Sequence, residues 1–195
     1  MSREQIDIIF LLDRSGSMYG CENDTIGGFN SFIENQIKQE VDAKVTTVLF
    51  DHGYEVLYRR KDIHKIGKLT HEEYYVRGST ALFDAIGKTI VSMDREVSNR
   101  VLFVITTDGL ENSSVEFSKD QIKNMIRNHN WEFIFLGADI DAYSEASKIG
   151  IRMDNTAIYK KSSRGMNDMF KSVEKACMNV SMEKKLDASW KADLE

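Results

Sequence analysis

The feature that most limits what this chain can fold into is the way its hydrophobic periodicity changes along the sequence. Short, nearly continuous apolar runs rich in Ile, Val and Phe occupy residues 6–12, 45–50, 101–106 and 131–136. Runs of that length and β-branched content predict strands buried on both faces, as in a parallel sheet. Between them the apolar residues recur at helical spacing. One stripe is Ile26, Phe29, Phe32, Ile33, Ile37 and Val41, the next Leu82, Ala85, Ile86, Ile90, Met93 and Val97, and the last Met166, Met169, Phe170, Val173, Cys177 and Val180. Such stripes predict amphipathic helices that cover the sheet. Asp51-His52-Gly53 joins residues 45–50 to a second strand-like run at 54–59 with too little chain for a helical crossover, which predicts an antiparallel hairpin. The fold class that follows is α/β: a three-layer, doubly wound, mostly parallel sheet with one antiparallel edge strand and helices on both faces. Ligands in such sheets bind at the carboxyl ends of the strands, so function is expected in the loops that follow them.

A chain of 195 residues with 42% hydrophobic content can bury one substantial core more readily than two, which predicts a single domain over 1–195 with its core in about 5–185 and a C-terminal tail at 186–195. Net charge is -5 with both signs interspersed, so no broad positive field attracts phosphates and nucleic acid is not expected as a partner. The longest apolar stretches, 8–12 and 101–105, fall far short of the roughly 20 residues of a membrane helix, and no membrane partner is expected. The N-terminal segment lacks the features of a signal peptide, which predicts a cytoplasmic protein acting as a monomer. Cys21 and Cys177 form no CxxC pair and are read as reduced thiols.

The distinctive chemistry lies at the predicted strand ends. The first strand runs into Asp13-Arg14-Ser15-Gly16-Ser17, one carboxylate and two hydroxyls at alternate positions of a tight turn. Residues 101–106 run into Thr107-Asp108-Gly109, which presents a second carboxylate at the same edge, and Arg77-Gly78-Ser79-Thr80 brings a hydroxyl just before the helix at Ala81. All five donors are oxygens, with no sulfur or imidazole. A small set of hard oxygens suits Mg²⁺ or Mn²⁺ better than zinc.

The pattern Asp13-x-Ser15-x-Ser17 with a later Thr80 and a strand-terminal Asp108 resembles the metal-ion-dependent adhesion site of von Willebrand factor A domains. The resemblance covers nearly the whole chain. It extends to the apolar strand before Asp13, the run Gly78-Ser79-Thr80-Ala81-Leu82-Phe83-Asp84-Ala85, and Thr107-Asp108-Gly109, and it is similar in kind to the intracellular members of bacteria and phages. It implies a Rossmann-like fold in which Ser15, Ser17 and Thr80 give oxygens to Mg²⁺ or Mn²⁺ and Asp13 and Asp108 act directly or through water. It also implies a non-catalytic role: binding a partner protein whose Asp or Glu carboxylate completes the coordination. Met18, Tyr19, Tyr75, Arg77, Ser79, Glu111 and Asn112 are expected to form the partner-binding rim.

Plainer readings exist for each element. Asp, Ser and Thr are common turn and capping residues, and Thr80 can cap the helix after it. Asp84, one turn after Thr80, can face the sheet edge or sit favourably at the positive end of that helix, and the second is expected. Tyr74 serves equally as a surface contact or as packing against the sheet edge, and His52, His64, His71 and His129 show no zinc-ligand spacing. The main rival function is a Mg²⁺-dependent phosphohydrolase of the haloacid dehalogenase type. That chemistry wants Asp-x-Asp, and the second position here is Ser15. No glycine-rich dinucleotide or phosphate-loop pattern follows the first strand, and the intact donor set argues against a scaffold that has lost its metal.

Overall fold

The computed structural model describes residues 4–97, 99–138 and 140–194. Six strands form one sheet: β1 (Ile6–Asp13), β2 (Ala43–Phe50), β3 (Tyr54–Asp62), β4 (Arg100–Thr107), β5 (Glu132–Ala138) and β6 (Thr156–Tyr159). Their order is β3-β2-β1-β4-β5-β6, every pairing parallel except β2 with β3. The fold class expected from periodicity is the one observed, and β3 is the antiparallel edge.

Alternation along the central strands sorts the core into two layers. Ile8, Phe10 and Leu12 of β1 pack with α1 (Glu22–Lys38) and α5 (Ser163–Ser181) through Phe29, Phe32, Met169, Phe170 and Val173. Ile9 and Leu11 face the other way, toward α2 (Leu82–Met93), α3 (Lys119–Asn128) and α4 (Ala142–Lys148) through Ile86, Ile90, Met93, Ile122 and Ala146. With both faces covered, β1 is buried at every position, which is why it reads as a continuous apolar run instead of an alternating one.

Three elements have no counterpart in the sequence reading. α3 buries only Ile122 and Ile126, too narrow a stripe to stand out, although Ser118 and Gln121 form a reciprocal capping box that marks its start. α4 is a seven-residue helix that buries two alanines, and β6 is a four-residue edge strand. The segment after 185 is also not a loose tail. Leu186 and Trp190 are buried in the α1–α5 layer, the Trp190 indole donates to the Asp154 carbonyl at 2.9 Å, and Lys191 donates to the Thr156 carbonyl at 2.9 Å.

The chain leaves β1 for β2 and β3 on one side, then crosses back to place β4 on the other. The loops after β1 and β4 therefore diverge at neighbouring strand ends, and the crevice between them is the topological switch point where such sheets bind ligands. Parallel pairing sets Leu12 beside Thr106, so Asp13 and Thr107 finish their strands together. Among the described residues, no helix is long and apolar enough to cross a membrane.

Candidate metal centre

The five oxygen-bearing residues picked out by sequence meet in this crevice. Asp13 ends β1 with its carboxylate turned inward: Oδ1 accepts the Ser15 amide at 2.7 Å and Oδ2 accepts the Thr107 hydroxyl at 2.6 Å. The Ser15 and Ser17 hydroxyls lie 3.0 Å apart, and Ser17 Oγ donates to Asp108 Oδ1 at 2.5 Å. Thr80 joins them from the opposite loop. A Cβ built on Gly109 would lie 2.7 Å from Thr80 Oγ1, 3.0 Å from Ser17 Oγ and 3.6 Å from Ser15 Oγ, so three hydroxyl oxygens from two separate loops converge on one point that only a residue without a side chain leaves open. Asp13, Ser15, Thr80 and Asp108 are buried, whereas Ser17 is exposed and marks the mouth.

Backbone hydrogen bonds fix the loops that carry these groups. Gly16 N–H donates to Gly78 O at 3.0 Å and Arg77 N–H to Arg14 O at 2.9 Å, joining the first loop to the second. Asn112 joins the second to the third: its Oδ1 accepts the Thr80 amide at 2.9 Å while its own amide donates to the Thr80 carbonyl at 3.0 Å. Gly78 has φ +67, and a Cβ there would come within 2.0 Å of His52 Nδ1, so the turn that delivers Thr80 requires glycine twice over. The buried Arg14 guanidinium donates to Asp51 Oδ2 at 3.0 Å and the Glu73 carbonyl at 3.1 Å, and pairs with Glu55 at 2.8 Å. Arg77 donates to the same Asp51 oxygen at 2.8 Å. The β2–β3 hairpin thereby clamps both loops.

Electrostatics at the centre are those of two carboxylates in a poorly hydrated crevice. Burial pushes the Asp13 carboxyl up to about 6, against the hydrogen bonds from Thr107 and Ser15 and with a smaller push from the Asp108 charge. A cation beside it favours the ionised form. Lys161, between β6 and α5, brings a cation to the centre: its ammonium lies 2.7 Å from Asp108 Oδ2 and donates to the Ser17 carbonyl at 2.6 Å. Asp108 Oδ2 is screened from solvent, and Lys161 is its ion-pair partner.

The expected rim is only partly a surface. Tyr19 is 80% exposed beside the mouth, but Met18 is 1% exposed and belongs to the core, because the short helical turn Gly16–Met18 points it inward. Tyr75 is half exposed and packs under the Arg14 and Arg77 guanidinium groups, at 5.1 and 5.6 Å from its ring centroid. Ser79 is partly buried. Glu111 is a fastening and not a contact group: it accepts the Phe83, Ser113 and Ser114 amides, satisfying the start of α2. Asp84 stands in the first turn of α2, where the dipole reading put it, and also accepts the amides of Val115, Glu116 and Phe117, which holds the loop after β4. Tyr74 is wholly buried, and its hydroxyl donates to the Asp13 carbonyl at 2.5 Å. His129 bridges the Met125 carbonyl and Asp94 and packs at a tilt of 57° against the Trp131 ring. Thr107, Gly109 and Lys161 were missed as site residues. The first two adjoin Asp108 in sequence, but Lys161 carries no signal that links it to a motif 50 residues away.

The donor set fits a divalent cation. Two ligands at right angles around Mg²⁺, each at about 2.1 Å, stand about 3.0 Å apart. The Ser15–Ser17 oxygen separation matches that edge. Among the described residues no cluster of three or more His, Cys, Asp or Glu could hold a metal, so an ion at this position would rest on two carboxylates and three hydroxyls.

By sequence, no family description matches the chain and no curated protein is similar to it. By structure, proximal thread matrix protein 1 from the mussel byssus aligns over 90% of this chain and 47% of its own, at 17% identity and TM-score 0.65. The same protein with a zinc-occupied site of this motif aligns at TM-score 0.66 and 17% identity, over 90% of this chain and 46% of its own. A von Willebrand factor type A protein from Catenulispora acidiphila aligns at TM-score 0.63 and 18% identity, over 91% of this chain and 43% of its own. The chain thus spans about half the length of these structures, whereas it covers 94% of the SpRpn10 domain of the same class, at 14% identity and TM-score 0.61. Sheet order, the crevice at the switch point and these likenesses agree that the chain has the fold of a von Willebrand factor A domain.

Proposed function

We propose that the protein binds a partner through a divalent cation held by Asp13, Ser15, Ser17, Thr80 and Asp108, and that it catalyses no reaction. The observation that carries this reading is the convergence of three hydroxyls from two loops beside two buried carboxylates at the switch point of the sheet. A divalent ion there supplies an electropositive centre facing the mouth, suited to an Asp or Glu carboxylate of a partner protein. The chain's own residues do the positioning. Asn112 sets Thr80, Thr107 orients Asp13, and Arg14 with Arg77 holds the loops to the hairpin. Exposed Tyr19 and Leu110, close in sequence to Ser17 and Asp108, offer apolar surface on which a partner can rest. The Ser15 hydroxyl bonds that of Ser17, which donates to Asp108, so both serines are engaged within the donor set.

Calorimetric titration with Mg²⁺, Mn²⁺ and Zn²⁺ tests the first half, with one ion per chain expected and heat abolished in Asp13→Ala. Capture of partners in Mg²⁺ against capture in chelator tests the second. A metal-dependent partner is expected, and binding should vanish when its contacting Asp or Glu is changed to Asn or Gln. Titrations without heat for any ion would overturn the reading. A phosphate monoester and nucleotide screen in Mg²⁺ is expected to show no turnover, and turnover lost in Asp13→Asn would replace it with the phosphohydrolase.

A further inference from the structure

We infer that Lys161 is a tethered cation that competes with the divalent ion for Asp108 and so sets the affinity of the centre. The inference rests on the metal-binding reading above, but its evidence is separate. Lys161 is no part of the oxygen motif and enters from the far edge of the sheet, where a three-residue connection leads from β6 into α5. Its ammonium reaches across to lie 2.7 Å from Asp108 Oδ2 and 2.6 Å from the Ser17 carbonyl oxygen. The other oxygen of the same carboxylate takes the Ser17 hydroxyl. A single lysine therefore touches both the carboxylate from β4 and the loop from β1, within one carboxyl group of the converging hydroxyls.

The connection is built to hold it there. Ser162 caps α5 by accepting the Gly165 amide at 3.1 Å, its own amide donates to the Lys160 carbonyl at 2.8 Å, and Ser163 donates to Asp24 of α1 at 3.0 Å. A Cβ on Gly165 would come within 2.2 Å of the Lys160 carbonyl oxygen, so the turn is close-packed. The Lys161 side chain is about one-quarter exposed, with solvent on one flank into which it can withdraw.

Charge decides the consequence. Two carboxylates and one ammonium leave the centre at one net negative charge (-2 + 1 = -1), half of what the oxygen motif alone would offer a dication. In a crevice of low effective dielectric, an ammonium and a dication sharing one carboxylate repel strongly. The divalent ion therefore enters only as Lys161 gives up Asp108, and the free energy of that exchange is subtracted from its affinity. Removing the ammonium has the opposite effect twice over: it abolishes the repulsion and leaves Asp108 Oδ2 without its counter-charge until the ion arrives, while Oδ1 keeps the Ser17 hydroxyl.

The test is calorimetric titration of wild type, Lys161→Met, Lys161→Gln and Lys161→Arg with Mg²⁺ and Mn²⁺, joined to thermal melts with and without the ion. Met and Gln are expected to tighten binding by on the order of 10- to 100-fold. They should also melt lower than wild type without the ion and gain more from adding it, while Arg stays near wild type. Amide exchange at 160–165 should rise when wild type is loaded and stay unchanged in Lys161→Met. Wild type that binds the ion while Met and Gln bind it no more tightly overturns the competition and leaves the metal reading standing. No binding by any of the four proteins overturns both.

Discussion

At the scale of single residues, the centre depends as much on what is missing as on what is present. Gly109 has an ordinary backbone φ, so alanine there is not strained by the backbone, yet its methyl would lie 2.7 Å from Thr80 Oγ1 and 3.0 Å from Ser17 Oγ. Gly109→Ala is therefore expected to weaken divalent-ion binding by at least about 100-fold while every ligand remains and the fold persists. Titration alongside a circular dichroism melt checks this, and unchanged affinity would show that an ion does not sit among these hydroxyls. Asn112→Ala is expected to act more gently, because it frees the Thr80 amide without touching a donor oxygen and keeps the backbone N–H that bonds the Thr80 carbonyl: a roughly tenfold loss of affinity and about 1 kcal/mol of stability. The five oxygen-bearing residues that converge in the crevice were legible because Asp-x-Ser-x-Ser, Thr80 and Asp108 each follow a strand or precede a helix that periodicity marks. Met18 and Glu111 were misread as rim because position next to a motif says nothing about which way a side chain points. Lys161 was invisible because its role arises from β6 lying across the sheet edge, and β6 itself is four residues long.

At the scale of elements, the loop after β4 shows how a polar stretch can be rigid without a core of its own. Residues 109–117 bury little, yet Glu111 and Asp84 between them accept six backbone amides that fasten this loop and tie it to the first turn of α2. The exchange is reciprocal, since Ser114 Oγ accepts the Asp84 amide at 3.0 Å. Such a clamp keeps Asp108 and Thr80 in one geometry before any ligand arrives. Asp84→Ala removes the acceptor of three amides, two of which belong to the exposed residues Val115 and Glu116 and can turn to water. The expected cost is about 2 kcal/mol rather than the sum of three buried bonds. Hydrogen exchange should speed at 115–117 while β4 stays protected, and equal acceleration in both would mean that the clamp supports the whole sheet. The sequence reveals the elements that bury a wide stripe, α1, α2 and α5, and hides α3 and α4, whose buried faces are two residues wide.

At the scale of the whole molecule, the two halves of the carboxyl edge are joined through one buried carboxylate. Asp51 sits in the β2–β3 hairpin, is wholly inaccessible, and receives Arg14 from the β1 loop, Arg77 from the segment before α2 and the Gly53 amide, with His52 Nδ1 3.5 Å away. Glu55 shares the Arg14 guanidinium. Burial acts to raise the Asp51 carboxyl, but the hydrogen bonds from Arg77, Gly53 and Arg14 outweigh it and hold the group below its ordinary value of 3.8. A carboxyl depressed in the folded state binds its proton more readily in the unfolded chain. Its stabilisation is thus fully present above the unfolded value near 3.8 and is lost as pH falls through the lower folded value. Asp51→Asn keeps the shape and removes the charge, leaving Arg14 buried with Glu55 as its remaining anion. The expected loss at neutral pH is about 3 kcal/mol, since breaking a buried pair strands one of its charges. That difference should hold from neutrality down to about pH 4 and shrink below it, as wild type loses the same charge by protonation. Denaturant midpoints of the two proteins between pH 7 and pH 2.5 would follow this course. Curves that stay parallel down to pH 2.5 would mean that hydrogen-bond geometry at Asp51, not its charge, ties the hairpin to the loops of the centre.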